Sequence, residues 1–163
     1  MTHDNGGAMT KTASNEAIRE FVAHTCLLLD DEDFDGFLQQ CLPDFTYQIV
    51  AHSPELPQPM VWLDHDCIGL RELFAMVPKH VRMQGTICRH VSVYRIKALA
   101  DGRSEVLSRL IALHTDPEGA SRVIAVGKYL DVVDSRADCE PKLSARRVEL
   151  ETRTWSPGLH VPV

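Results

Sequence analysis

No two of the five cysteines, Cys26, Cys41, Cys67, Cys88 and Cys139, stand in C-x-x-C spacing. A zinc ribbon or an iron–sulfur cluster needs such closely spaced ligand pairs, so the sequence speaks against both. Also missing is any apolar run near the roughly 20 residues that span a bilayer. There is no G-x-S-x-G, no glycine-rich phosphate loop and no basic stretch interleaved with aromatics. Basic residues are outnumbered, 17 Lys and Arg against 23 Asp and Glu, for a net charge of -6. That balance argues against nucleic acid or an anionic membrane as a partner. The opening residues are polar and lack the basic-then-apolar pattern of a signal peptide. Residues 1–14 are expected to form a disordered lead-in. An odd cysteine count without an export signal reads as reduced thiols in a cytoplasmic protein, most of them buried.

What is present is ordinary for a globular protein: 44% hydrophobic and 25% charged residues in a chain of 163. That length suits one domain, placed at residues 15–163. Ser14 or Asn15 can cap a helix whose stripe is Ile18, Phe21, Val22, Thr25 and Leu29. A second, shorter helix has an acidic first turn that suits the helix dipole. Its stripe is Phe34, Phe37, Leu38 and Cys41, with Pro43 as its stop. Residues 45–51 read as a strand. From 52 to 61, Pro54, Pro57 and Pro59 predict irregular chain. Leu70, Leu73, Phe74 and Val77 predict a third helix over 67–77, ended by Pro78. Beyond it come four long β-branched, alternating stretches, at 86–99, 104–115, 121–134 and 142–155. Asp101-Gly102 marks the first turn between them. Helices followed by an antiparallel meander define an α+β fold.

Three places could carry chemistry. The first is Asp64-His65-Asp66. Adjacent side chains diverge, so the triplet supplies at most two convergent metal ligands, Asp64 and Asp66. An iron triad would need His52 and His90 from elsewhere, and no spacing recommends them. The structural alternative is concrete: Asp66 as N-cap of the helix starting at Cys67, with Asp64 adding charge there. The second is His90. It shares a strand face with Cys88, Ser92 and Tyr94, opposite Ile87, Arg89, Val91, Val93 and Arg95. Oriented by Asp30 or Asp31 and joined by Tyr47 or His114, it could act as the general base of a lyase or isomerase. The plainer alternative is a histidine in structural hydrogen bonds. The third is Arg146-Arg147, in a segment read either as an exposed strand edge or as a subunit interface. Trp155 and His160 are interface candidates in the final segment, Trp155 because large aromatics dominate interface energetics.

The order of motifs resembles the small (β) subunit of Rieske-type ring-hydroxylating oxygenases, from about Ile18 to Arg153. The carriers are "FVAHTCLLLDDEDFDGFLQQCLPDFTYQI", "LDHDCIGLRELFAMV", "RHVSVYRI", "VGKYLDVV" and "LSARRVELETR". Within that family the chain is most similar to the methanesulfonate monooxygenase branch. Two departures separate it from the aromatic-oxygenase form: "SRADCEPK" has no Gly-x-Trp turn, and the loop "AHSPELPQPMVWLDHD" differs. The resemblance implies a nuclear transport factor 2-like cone with a hollow core. It implies a mainly structural, cofactor-free subunit without catalytic or metal-binding residues of its own. A large (α) partner would carry the Rieske [2Fe–2S] cluster and the mononuclear iron, commonly as α3β3. Electrons would arrive indirectly from a ferredoxin or reductase.

Overall fold

The computed structural model describes residues 12–80, 82–136, 140–154 and 162–163. Of the expected lead-in, residues 1–11 lie outside these, and the last residues are tied down. Thr12 bridges to Arg136, and the Ala13 N–H donates to the Ser135 carbonyl at 2.7 Å.

Helix α1 (Asn15–Asp30) starts where Ser14 accepts a hydrogen bond from the Ala17 N–H at 3.1 Å. Its apolar stripe is buried as predicted, with Cys26 added. It ends in a Schellman turn. The Asp33 N–H reaches the Leu28 carbonyl, the Glu32 N–H reaches that of Leu29, and Glu32 takes φ 56°. Asp33 then caps the short α2 (Phe34–Gln39) through the Gly36 N–H at 2.9 Å. That helix is shorter than its predicted stripe. Cys41 already belongs to strand β1 (Cys41–Ala51), and Pro43 lies inside the strand rather than stopping the helix. The pairing of β1 with its later neighbour is irregular between Cys41 and Thr46, where a missing N–H does no harm.

Strand β2 (Met60–Asp66) overlaps the end of the stretch read as irregular. The prolines do keep 52–59 out of strand, but from Met60 the chain pairs antiparallel with β1. Helix α3 (Cys67–Met76) follows, and Pro78 sits in a 3-10 turn, Val77–Lys79. The meander is β3 (Thr86–Ala98), β4 (Arg103–Thr115), β5 (Ser121–Asp134) and β6 (Lys142–Leu150).

All six strands form one sheet in the order β2-β1-β6-β5-β4-β3. Every pairing is antiparallel except β1 with β6, which is parallel. So β6 is an interior strand, not the exposed edge its charges suggested. The helices cover one face of the sheet, α1 against β3 and α3 against β1. Where α2, α3 and β1 meet, Phe37 sits edge-on to Phe45, Tyr47 and Phe74, and Phe34 stacks on Phe74 at 4.3 Å. Such pairs add specific geometry to a large apolar burial.

The Asp66 carboxylate accepts from the Gly69 N–H at 2.8 Å and caps α3. Asp66→Ala is expected to lower stability by about 1 kcal/mol, the usual worth of a cap. Asp64→Ala should stay within about 0.5 kcal/mol, as an exposed surface change does. Urea unfolding of the two variants checks both values.

Candidate functional site

In strand β2 the Asp64-His65-Asp66 triplet points three ways. Asp64 lies opposite Gln48 and accepts from its side-chain amide at 3.3 Å. The His65 ring leans on the first turn of α3, so that a Cβ on Gly69 would fall 2.8 Å from its Nδ1. Asp66 is committed to the helix cap. Among the described residues, no group of three or more His, Cys, Asp or Glu could hold a metal ion.

The structure does not assemble His90, Asp31 and Tyr47. On β3 the Cys88, His90, Ser92 and Tyr94 face is exposed, and Ile87, Arg89, Val91 and Val93 turn inward, whereas Arg95, expected with them, is exposed because the pairing shifts after Val93. The Cys88 thiol lies beside the His90 ring at 3.7 Å. Asp31 is exposed at the end of α1. Tyr47 is fully buried on the far side of the sheet. His114 is also buried, but its Nε2 contacts the Gln84 carbonyl at 2.7 Å. The residue that Asp30 orients is Arg89: its carboxylate accepts from the Arg89 backbone N–H at 3.0 Å and pairs with the guanidinium.

The chemistry inside the fold belongs to residues the sequence reading placed elsewhere or passed over. Arg146, read as an interface residue, is buried at the centre of the sheet. Its Nε and Nη2 donate to the two carboxylate oxygens of Asp131, each at 2.8 Å. Nη2 also donates to the Thr25 hydroxyl at 2.9 Å, which itself donates to the Val22 carbonyl at 2.7 Å. The guanidinium lies over the Tyr129 ring, 4.2 Å from its centroid. Burial opposes the charge on Arg146, but the Asp131 carboxylate outweighs it and the pKa moves well above the ordinary arginine value. Burial pushes the phenols of Tyr47 and Tyr129 up, so both stay protonated donors. Beside them, the Arg89 Nη2 donates to the Pro162 carbonyl and the Tyr47 hydroxyl to a backbone oxygen of Val163, each at 2.5 Å. Alternation could have found Arg146: Val148 and Leu150 fix the inward phase of β6, and Arg146 shares it.

The opposite, outer face combines apolar rows with a charged one. Tyr94, Ile111 and Val123 are 68%, 45% and 55% exposed, too open to be core. Ile111 lies opposite Val126, and Leu107 opposite Leu130. Between these rows run Arg109, Lys128 and Glu149. Lys128 pairs with Glu149 at 2.8 Å and Arg109 with Glu151 at 2.9 Å. Arg147, the outward neighbour of Arg146, meets Glu149 at 3.1 Å and the Gln48 side chain at 2.5 Å. With His52 these charges line a groove of about 320 Å³. Trp155 and His160 lie outside the described residues.

A helix layer on a strongly non-local mixed sheet, with a buried polar interior, defines the nuclear transport factor 2-like class of α+β cones. The same fold is found in the β subunit assigned to an aromatic-ring-hydroxylating dioxygenase of Novosphingobium aromaticivorans. That structure is 20% identical with a TM-score of 0.77, over 91% of this chain and 95% of the other. The chain is 35% identical to the β subunit of 2-aminobenzenesulfonate 2,3-dioxygenase from Alcaligenes sp, over 90% of this chain and 97% of that protein. It is 28% identical to the hydroxylase β subunit of methanesulfonate monooxygenase from Methylosulfonomonas methylovora, over 91% and 86%. No family model matches. This chain belongs to the family of β subunits of Rieske-type mono- and dioxygenases.

Two measurements test the electrostatics. Arg146→Leu leaves Asp131 buried without its partner and should cost about 3–5 kcal/mol, whereas Arg146→Leu with Asp131→Leu should recover most of that loss. Chemical denaturation of both variants reads this out. On the outer face, Lys128, followed by Arg147, holds the Glu149 carboxyl below the ordinary glutamate value of 4.5. A depressed folded pKa stabilises the fold above the unfolded value, and that contribution is lost as pH falls through the folded one. Stability should therefore drop from about pH 5 downward, and Glu149→Gln should flatten this acid limb, as followed by urea unfolding across the range.

Proposed function

We propose that this chain is the cofactor-free, mainly structural small subunit of a Rieske-type terminal oxygenase, holding its large subunit through the outer face of the sheet. The large subunit would carry the [2Fe–2S] cluster and the mononuclear iron, in an α3β3 assembly of the cytoplasm supplied with electrons by a ferredoxin or reductase. A sulfonate is the favoured substrate class, because both curated relatives are named for sulfonates. The observation that carries the docking is the pair of apolar rows Ile111–Val126 and Leu107–Leu130, half-buried except for exposed Ile111, with exposed Tyr94 and Val123 at their margin. An antiparallel sheet normally turns a polar face to water, and an apolar patch with a charged seam is what a subunit contact uses. The charges within the seam are already paired in the chain, so they can be covered without stranding a bare ion. Arg147 belongs to this surface. Family membership supplies the nature of the partner.

The test is co-expression with the large subunit, then size-exclusion chromatography with iron analysis of each fraction. A large complex holding all the iron is expected. Ile111→Glu combined with Val123→Glu should weaken co-elution at least tenfold while the circular dichroism is unchanged, since central apolar contacts dominate such interfaces. Asp35→Asn on α2 should leave assembly intact. Iron on the isolated chain, or an unimpaired double variant, would overturn the proposal.

A further inference from the structure

The groove on the outer face carries a charge that pairing within the chain does not cancel. Its walls hold three cations, Arg109, Lys128 and Arg147, and two carboxylates, Glu149 and Glu151, beside the apolar Val50, Pro59 and Leu150. Arg109 and Glu151 form one pair, at 2.9 Å. Glu149 serves both remaining cations, Lys128 at 2.8 Å and Arg147 at 3.1 Å. Each of these ions has a partner, yet with His52 neutral three positive charges against two negative leave a surplus of one. Asp64 does not pair with it directly, because the Gln48 amide stands between its carboxylate and Arg147. The strand register concentrates the surplus. Arg109 and Lys128 lie directly opposite each other on β4 and β5, and like charges so placed destabilise a sheet. Arg147 commits its Nε to Glu149 and its Nη1 to Gln48, which leaves Nη2 available among the described residues. In water such a surplus is well solvated. Under a covering partner it would lose that solvation, at a high cost unless the partner brings a negative charge.

We infer that the groove receives a single aspartate or glutamate side chain of the large subunit, and that this carboxylate cancels the surplus as the outer face is covered. The inference rests on the docking proposed above and names the group that docking requires at this place. One carboxylate matches the charge, whereas a second would reverse its sign and find no cation. The donors it meets are the Lys128 ammonium and the Arg147 Nη2, both bordering Glu149. The groove, about 320 Å³, has room for such a side chain. A free anion from solution fits the site less well. The cations are 39–43% exposed, and ion pairs at that exposure are individually weak. A carboxylate carried in by a docked subunit is held there at high effective concentration by the apolar contacts around it.

The experiment follows assembly of the full chain with the large subunit by size-exclusion chromatography over a dilution series at low salt. Lys128→Met leaves Glu149 paired with Arg147 and brings the groove to neutrality. It should weaken assembly at least tenfold and lessen its sensitivity to salt. Adding Glu149→Gln restores a surplus of one, now carried by Arg147, and should recover most of that loss. Circular dichroism establishes that both variants are folded. Arg147→Gln, which also brings the sum to zero, replaces Lys128→Met should the latter not fold. Assembly of the neutralised variant as tight as the parent's would overturn the inference. The docking itself would still stand if Ile111→Glu with Val123→Glu disrupts assembly, and would fall if that variant assembles normally. A double variant that recovers nothing would show that the sum of charge is not what the partner reads, and would overturn the inference as well. Acetate, titrated into the isolated parent chain, serves as the free carboxylate, and no saturable binding is expected. Saturable binding would assign the groove to a free ligand and overturn the choice of a partner side chain.

Discussion

The two-pronged bond between Arg146 and Asp131 is the constraint around which the fold is arranged. An isolated ion in this interior would be prohibitively costly, so the two groups must meet, and meet squarely. Their meeting aligns β5 with β6. A slip of one residue would turn Arg146 outward, bring Arg147 or Ala145 opposite Asp131, and swing Val148 and Leu150 out of the core. The same guanidinium reaches Thr25 on α1 and stacks on Tyr129, so it also sets where the helix lies on the sheet. Beside it, Asp30 and Arg89 fasten the last turn of α1 to β3. Two buried ion pairs thus act as locators, while the apolar cluster supplies the bulk of the favourable free energy.

The two faces of the sheet divide the protein's tasks. The inner face has cations, phenols and hydroxyls of the kind active sites use, but its charges are matched in pairs, and Arg89 and Tyr47 are engaged by backbone oxygens of Pro162 and Val163. The outer face has its central row of charges paired and the apolar rows beside it partly exposed. The His90-centred acid–base set that the strand pattern alone allowed is not brought together by either face.

Local signals in the sequence were read well. Ser14 and Asp66 cap helices as their neighbours suggested, and the four-strand meander follows from its alternation and turns. The misreadings share a non-local cause. Strand β2 is short, follows three prolines and owes its existence to β1, so nothing within "MVWLDHD" announces it. Alternation on β3 sorted the residues into two faces correctly as far as Val93, but the irregularity there turns Arg95 outward, and only the packing of α1 decided that Arg89 and not His90 turns inward. On β6 the paired arginines looked alike. The pairing irregularity between Val132 and Val133 and the inward phase of Val148 and Leu150 separate them. The interior site was illegible for the same reason: Tyr47, Asp131, Arg146 and Val163 come from four distant parts of the chain. The family, by contrast, was legible from ordered motifs, because relatives keep such order when single residues drift.

The parallel pairing of β1 with β6 has a kinetic consequence. Tyr47 must wait for Arg146, and Gln48 for Arg147, so the strand made first in synthesis gains its second neighbour only from a strand made about a hundred residues later. Contacts that far apart in sequence close slowly. On the ribosome the helices, the β1–β2 pair and the first hairpins of the meander would form before β6 exists to join them, and the sheet becomes whole in a final step. That last step also creates the buried ion pair and completes the outer face. A partner that recognises that face would therefore meet only finished copies, making assembly a check on folding.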